Sequence, residues 1–319
     1  MRINHILISG RLYRELQPLL AHRKDKEFRY VPEHEVSADD FAWADAYAGF
    51  RPVPGFDPRQ LQWVHAMGAG IDAFLTSCEW PGDVPLTRTT GAFGAKIGEY
   101  CLGYMLSELQ HHVKFARDQA ARAWNPVAAV PLSGQTAVIF GTGTVGKGIA
   151  LRLAAFGVRV VGVSLSGRPS PHYDEVYSLA EASSALQEGD WVINTLPLTP
   201  ATSKLFDRER FAHMRHAGFI NVGRGGSVDS EALLDALELG SVRTAVLDVF
   251  ETEPLPPESP LWSHPAVRIT PHISAVTSPE EAAEELLATL DRIEGARFRS
   301  PTGSIRSGDT DYGCEGEEL

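Results

Sequence analysis

Cysteine is scarce: the 319-residue chain has three, Cys78, Cys101 and Cys314, and their spacing is not that of metal ligands. That excludes a disulfide framework and a cysteine-based zinc centre, so no metal is expected and a reducing cytoplasm is the expected setting. Positive charge is in deficit too, with 29 Lys and Arg against 41 Asp and Glu and a formal net charge of −12. Such a balance offers no footprint for nucleic acid or an anionic membrane, although small anions can still bind at local cations. No apolar run approaches the roughly 20 residues that cross a bilayer. The opening run, residues 3–9, is too short for a signal h-region. Internal repeats and low-complexity blocks are missing, and the acidic stretch 309–319, without apolar periodicity, is expected to be a loose tail. What remains, at 43% hydrophobic and 22% charged residues, is a globular chain long enough for two domains.

Short apolar runs at 3–9, 28–31 and 61–66 alternate with helical patterns near 12–21 and 38–44, the βαβ rhythm of a parallel sheet. A long helix is predicted over 96–119, with Ile97, Cys101, Tyr104 and Met105 on one face, and is expected to bridge two domains. After Pro131 a second series begins, with runs at 135–140, 158–165, 191–196, 217–221, 244–249 and 267–270. Helices are predicted between them, among them 144–156 and 231–239, the latter bracketed by Ser230 and Gly240 as caps. A last helix over 279–293 opens with a Ser278-Pro279-Glu280-Glu281 capping box, and its Leu286, Leu290 and Ile293 need a partner. This helix is expected to return the chain to the first domain. The fold expected is α/β with two doubly wound parallel-sheet domains. A Rossmann-type dinucleotide-binding domain, 97–274, would be inserted into a flavodoxin-like substrate domain made of 1–96 and 275–319.

Gly141-Thr142-Gly143-Thr144-Val145-Gly146 follows an apolar run and opens a helix, the context a dinucleotide fingerprint requires. Its first glycine permits the tight turn, its second lets a pyrophosphate approach the backbone, and its third packs helix on strand. An NAD-preferring site carries an acid about twenty residues on, at the end of the second strand. Here that place reads Ser164-Leu165-Ser166-Gly167-Arg168, hydroxyls and a cation with no carboxylate to repel a 2′-phosphate. NADP(H) is therefore favoured, with NAD(H) the alternative.

Three chemistry-bearing side chains then stand where apolar runs end: Arg224, Glu253 and His272. Singly, each reads as a surface ion pair, a turn residue or a loop residue. Together, downstream of a nucleotide fingerprint, they read as a site. Strand C-termini of a doubly wound sheet meet in one crevice. Arg forks onto a carboxylate, His moves a proton near neutral pH, and Glu holds that His charged.

From 61 to 277 the chain resembles the D-isomer-specific 2-hydroxyacid dehydrogenases. The likeness rests on Gly141 to Gly146, Leu196-Pro197-Leu198-Thr199, and the segments 221–225, 247–255 and 270–274. It implies that Arg224 binds the carboxylate and keto oxygen of a 2-keto acid, that His272 protonates that oxygen, and that Glu253 hydrogen-bonds His272. It also implies that the amides around Ala69 and Gly70 grip the substrate carboxylate and that Asp248 holds the nicotinamide carboxamide. Leu196, Pro197, Thr202 and Val222 join the fingerprint residues as implied cofactor contacts. A homodimer formed through the domain-linking helix region is implied as well.

Within the family the chain is similar to the short glyoxylate/hydroxypyruvate reductases, having no regulatory extension and carrying Ala69-Gly70-Ile71-Asp72 and 271–277. Formate dehydrogenases of the superfamily have Gln where Glu253 stands, which argues against that activity. The expected function is reduction of a small 2-keto acid by NAD(P)H, with Phe50 and Arg51 more readily surface residues than lining of the substrate mouth. The alternatives are a dehydrogenase for a bulkier D-2-hydroxy acid and a nucleotide-sensing, corepressor-like scaffold.

Overall fold

In a computed structural model of the chain, which describes residues 1–295, the backbone falls into two compact units. The first comprises residues 1–91 with 276–295, and the second residues 92–275. The acidic stretch 309–319 and Cys314 lie outside the described residues.

The first unit runs β1 (His5–Ser9), α1 (Tyr13–Leu20), β2 (Glu27–Val31), α2 (Ala38–Trp43), β3 (Ala46–Gly49), β4 (Trp63–Ala66), α3 (Asp72–Leu75) and β5 (Leu86–Arg88). All pairings are parallel in the order β2-β1-β3-β4-β5, the flavodoxin-like order. Alternation along β1 sets the two faces: Ile6 and Ile8 pack with Leu16 and Leu20 of α1, while Leu7 packs with Phe41 and Tyr47. A parallel sheet covered on both faces needs apolar residues at successive positions, which is why β1 reads as an unbroken run.

Within this unit His65 of β4 is fully buried, its Nδ1 2.8 Å from Thr87 Oγ1 and its Nε2 3.0 Å from Thr89 Oγ1. Burial, with a smaller contribution from Arg292, pushes the imidazole down from 6.5 to about 3. The unfolded chain therefore takes up a proton that the folded unit refuses. The stabilisation is complete above about pH 6.5 and is lost as pH falls toward about 3. Each pH unit in that window is worth up to about 1.4 kcal/mol. Acidification from about pH 7 to about pH 5 should lower the urea midpoint of wild type more than that of a His65→Gln variant, and equal losses would contradict this.

The second unit runs α4 (Phe93–Leu109), α5 (His112–Ala120), β6 (Thr136–Phe140), α6 (Thr144–Ala155), β7 (Arg159–Ser164), β8 (Glu175–Ser178), α7 (Ala182–Glu188), β9 (Trp191–Asn194), α8 (Arg208–Ala212), β10 (Ala217–Asn221), α9 (Ser230–Leu239), β11 (Val242–Leu247) and β12 (Val267–Ile269). Its seven strands are parallel in the order β12-β11-β10-β9-β6-β7-β8. The chain leaves β6 toward β7 on one side and later returns to β9 on the other, so the switch point of a Rossmann sheet lies between β6 and β9. The chain ends its described part in α10 (Pro279–Gly295), in the first unit. There Leu286, Leu290 and Ile293 pack with Leu12, Leu16 and Leu20, and Ser278 and Glu281 form the reciprocal cap.

The single helix expected over 96–119 is two helices. Gln110 closes α4, and His111 turns the chain with a left-handed φ of 57° before α5. All of α4 lies in the second unit. Ile97, Cys101 and Met105 pack with Ile149 and Leu153 of α6, which draws residues 92–96 into the second unit and puts the divisions at 91/92 and 275/276. The cap of α9 is Asp229, whose carboxylate accepts from the Glu231 and Ala232 amides, and Ser230 is the first helical residue.

Candidate active site

Every strand of the second unit points the same way, so the loops after β6, β9, β10, β11 and β12 leave the sheet at one edge. Gly141 follows β6 with φ 103°, a conformation a side chain would strain. A Cβ on Gly146 would stand 1.9 Å from the Gly141 carbonyl oxygen, so the turn and the first turn of α6 close on each other only through glycine. Gly143 has open space where a side chain would go. The amides of Thr144, Val145 and Gly146 open α6, where a helix has donors without intrahelical acceptors. This cradle fits a pyrophosphate. Tyr173 braces it, its hydroxyl donating to the Gly141 carbonyl at 3.3 Å.

After β7, Ser164 Oγ accepts from the Gly167 amide at 3.1 Å, while Ser166 and Arg168 are exposed. The hydroxyl of Ser164 thus shapes the turn that carries the other two. Leu196 and Pro197 follow β9. Thr202 is buried and committed to that loop, donating to Pro197 O at 2.6 Å and accepting from Thr199 N at 2.8 Å. Val222, after β10, is buried as well.

Arg224 is set by a polar network under its turn. Asn194 donates to Asn221 Oδ1 at 2.9 Å and to Ser227 Oγ at 2.7 Å, and Asn221 Nδ2 and Ser227 Oγ both donate to the Arg224 carbonyl. Gly225 lies so close to Phe250 that a Cβ would stand 1.9 Å from the Phe250 carbonyl carbon. That contact brings the arginine turn beside the segment after β11, where Glu253 lies. Arg224 Nη1 donates to Gly223 O at 2.8 Å.

Glu253 and His272 meet at 2.9 Å, Oε2 to Nδ1, half-exposed in the chain by itself, while Glu253 Oε1 accepts from the Phe250 amide at 3.0 Å. A carboxylate only accepts, so Nδ1 carries a proton and Nε2 is the nitrogen left for exchange with a ligand. Arg224, Glu253 and His272 line one open depression of about 350 Å³, with Phe250, Leu198 and Ser203. A guanidinium, a carboxylate-braced imidazole and apolar walls suit a small anion that takes up a proton. Asp248, beneath them, is fully buried.

Ala69 and Gly70 follow β4 in the first unit, where the Ala69 carbonyl accepts from Arg88 at 3.0 Å. Asn194, Ser227 and Tyr173, which hold these turns, gave no motif in the sequence. Among the described residues no group of three His, Cys, Asp or Glu could hold a metal ion, and no helix is long and apolar enough to cross a membrane.

A model of the D-isomer-specific 2-hydroxyacid dehydrogenase NAD-binding domain matches residues 102–274. A glyoxylate/hydroxypyruvate reductase A of Serratia proteamaculans is 36% identical over 257 residues, 77% of this chain and 80% of that protein. An uncharacterised Streptomyces coelicolor protein is 37% identical over 256 residues, 79% of this chain and 90% of that one. Among solved structures, a D-isomer-specific 2-hydroxyacid dehydrogenase of Xanthobacter autotrophicus, in complex with NADPH and MES, matches with a TM-score of 0.83 and 30% identity, covering 92% of this chain and 96% of that one. An NADPH-dependent glyoxylate/hydroxypyruvate reductase of Sinorhizobium meliloti, with NADP and sulfate, matches with a TM-score of 0.80 and 28% identity over 92% of this chain and 95% of that one. The chain thus belongs to the D-isomer-specific 2-hydroxyacid dehydrogenases, a family of NAD(P)-dependent oxidoreductases, on its glyoxylate/hydroxypyruvate reductase branch.

Proposed function

We propose that the chain reduces a small 2-keto acid of the glyoxylate or hydroxypyruvate class to the D-2-hydroxy acid, with NADPH favoured over NADH. The observation that carries this is the 2.9 Å pair of His272 and Glu253, lining the same depression as Arg224. NADPH, when bound, supplies the hydride to the keto carbon. Arg224 holds the substrate carboxylate by paired N–H donors and stabilises the charge that grows on the keto oxygen. His272, protonated on both nitrogens, gives its Nε2 proton to that oxygen, and Glu253 stabilises the imidazolium and fixes the ring.

For the cofactor, the Gly141–Gly146 turn would take the pyrophosphate, and the exposed Ser166 and Arg168 would take the 2′-phosphate. Support comes from the missing carboxylate after β7 and from relatives solved with NADP or NADPH. The contacts proposed for Leu196, Pro197, Thr202 and Val222 are backbone or apolar ones, since the Thr202 hydroxyl is spent within its own loop. The Ala69 and Gly70 amides as a carboxylate grip rest on the family resemblance alone. With glyoxylate as substrate, kcat/KM for NADPH should exceed that for NADH by about tenfold or more. Equal values, or a preference for NADH, would overturn the cofactor assignment.

A homodimer belongs to the same proposal. Residues 121–131 are exposed throughout, and Trp124 is 94% exposed, an apolar surface that a second copy would cover. A monomer mass by light scattering at micromolar concentration would remove it. Cytoplasmic residence is proposed on the cysteine usage.

A further inference from the structure

Asp248 follows β11 with a fully buried carboxylate on which three donors converge from one short segment. Oδ1 accepts from the Thr270 hydroxyl at 2.5 Å and from the Ile273 amide at 2.8 Å, and Oδ2 accepts from the Ser274 amide at 2.9 Å. The Asp248 carbonyl takes the His272 amide at 2.9 Å. Residues on both sides of His272, and His272 itself, are thus tied to one residue of the neighbouring strand. His272 has φ 55°, a left-handed conformation uncommon for a residue with a side chain.

The hydrogen bonds have a fixed direction. The one hydroxyl proton of Thr270 is committed to the carboxylate, so the Tyr100 hydroxyl, 2.7 Å from Thr270 Oγ1, must donate to it. Burial raises the Tyr100 phenol, which keeps the proton it needs for this. Val at 270 and Phe at 100 would occupy similar volumes, so what the two hydroxyls add is direction. An ionised carboxylate has about four acceptor sites. Three are taken by the chain, which leaves one on Oδ2 for a ligand.

We propose that Tyr100, Thr270 and Asp248 are positioning residues that fix the His272 turn for proton delivery. The role implied for Asp248 by the family resemblance is carboxamide binding, which the remaining acceptor site on Oδ2 still allows, while the other three hold the histidine turn. The proposal rests on the reading of His272 as the proton donor. It makes the hydroxyls of Thr270 and Tyr100 matter to the chemical step and not to cofactor affinity.

The test uses the full chain with Thr270→Val, Thr270→Ser and Tyr100→Phe, reading kcat and KM with hydroxypyruvate and the NADPH Kd by fluorescence. Thr270→Val should lower kcat about 10- to 100-fold, and Tyr100→Phe about 3- to 10-fold, each with the NADPH Kd within about twofold of wild type. Thr270→Ser, which restores the hydroxyl, should return kcat to within about threefold. On a His272→Ala background, Thr270→Val should cost less than about twofold more, because the groups act as a unit. Wild-type kcat in Thr270→Val, a Kd that rises in step with the loss of kcat, failure of Ser to rescue, or full additivity on His272→Ala would each overturn the proposal. Should Thr270→Val not fold, Tyr100→Phe reads the same split between kcat and Kd. Wild-type kcat in the single His272→Ala variant would instead remove the proton-donor reading, and so separates the two failures.

Discussion

His272→Ala is expected to lower kcat for 2-keto acid reduction about 10²- to 10⁴-fold, the usual loss with a general acid, with the NADPH Kd within about twofold of wild type. The size follows from the step it removes. Without the imidazole, the negative charge that hydride transfer puts on the keto oxygen waits for water. The Glu253 carboxylate would also lose its partner, since its Oε2 is 2.9 Å from His272 Nδ1 and its other oxygen is held by the Phe250 amide. Glu253→Gln should cost less, because an amide can still orient the ring but does not stabilise its charge. Near-wild-type kcat for His272→Ala with glyoxylate, hydroxypyruvate and every other keto acid that wild type reduces would sink the assignment.

Arg224→Gln is the second large effect. Loss of one preorganised oxyanion donor costs about 10²- to 10³-fold in kcat, and loss of the carboxylate fork should raise KM as well. Arg224→Lys should recover little, because a point charge on a flexible stem does not present two parallel donors. The turn itself should survive either change. Its carbonyl is held by Asn221 and Ser227, and its close approach to Phe250 is made through Gly225, ties that do not depend on the side chain. Steady-state kinetics with glyoxylate and hydroxypyruvate check this. A kcat/KM for Arg224→Lys within about threefold of wild type would contradict the bidentate role.

The two-sheet architecture was legible because parallel strands buried on both faces write themselves as apolar runs. Thr136–Phe140 and Ala217–Asn221 are such strands. Ala46–Gly49 was not legible, since Ala-Tyr-Ala-Gly lacks β-branched residues and owes its strand state to neighbours on both sides. Glu175–Ser178 was missed as a polar strand on the sheet edge, and Leu86–Arg88 as one of three residues. The helix break at Gln110–His111 has no Gly or Pro to announce it. It depends on a histidine in the left-handed region, a tertiary outcome that periodicity does not register.

At the site, Arg224, Glu253 and His272 stood out because each sits in the loop after a strand, where a side chain is free of the sheet's alternation. Their supports did not. Asn194 reaches Ser227 across 33 positions and Tyr100 reaches Thr270 across 170, spacings that acquire meaning only once β9, β10 and α4 are folded. Asp248 shows the limit most clearly. A lone acid at the end of a strand invites a ligand, and nothing in the sequence tells that three of its acceptor sites are taken by Thr270, Ile273 and Ser274.

Hydroxypyruvate-dependent oxidation of NADPH, with chiral analysis of the glycerate formed, tests the central claim most directly. The account predicts steady turnover that yields D-glycerate. Absence of NADPH oxidation above the blank with hydroxypyruvate, glyoxylate and a panel of larger 2-keto acids, or formation of L-glycerate, would contradict it.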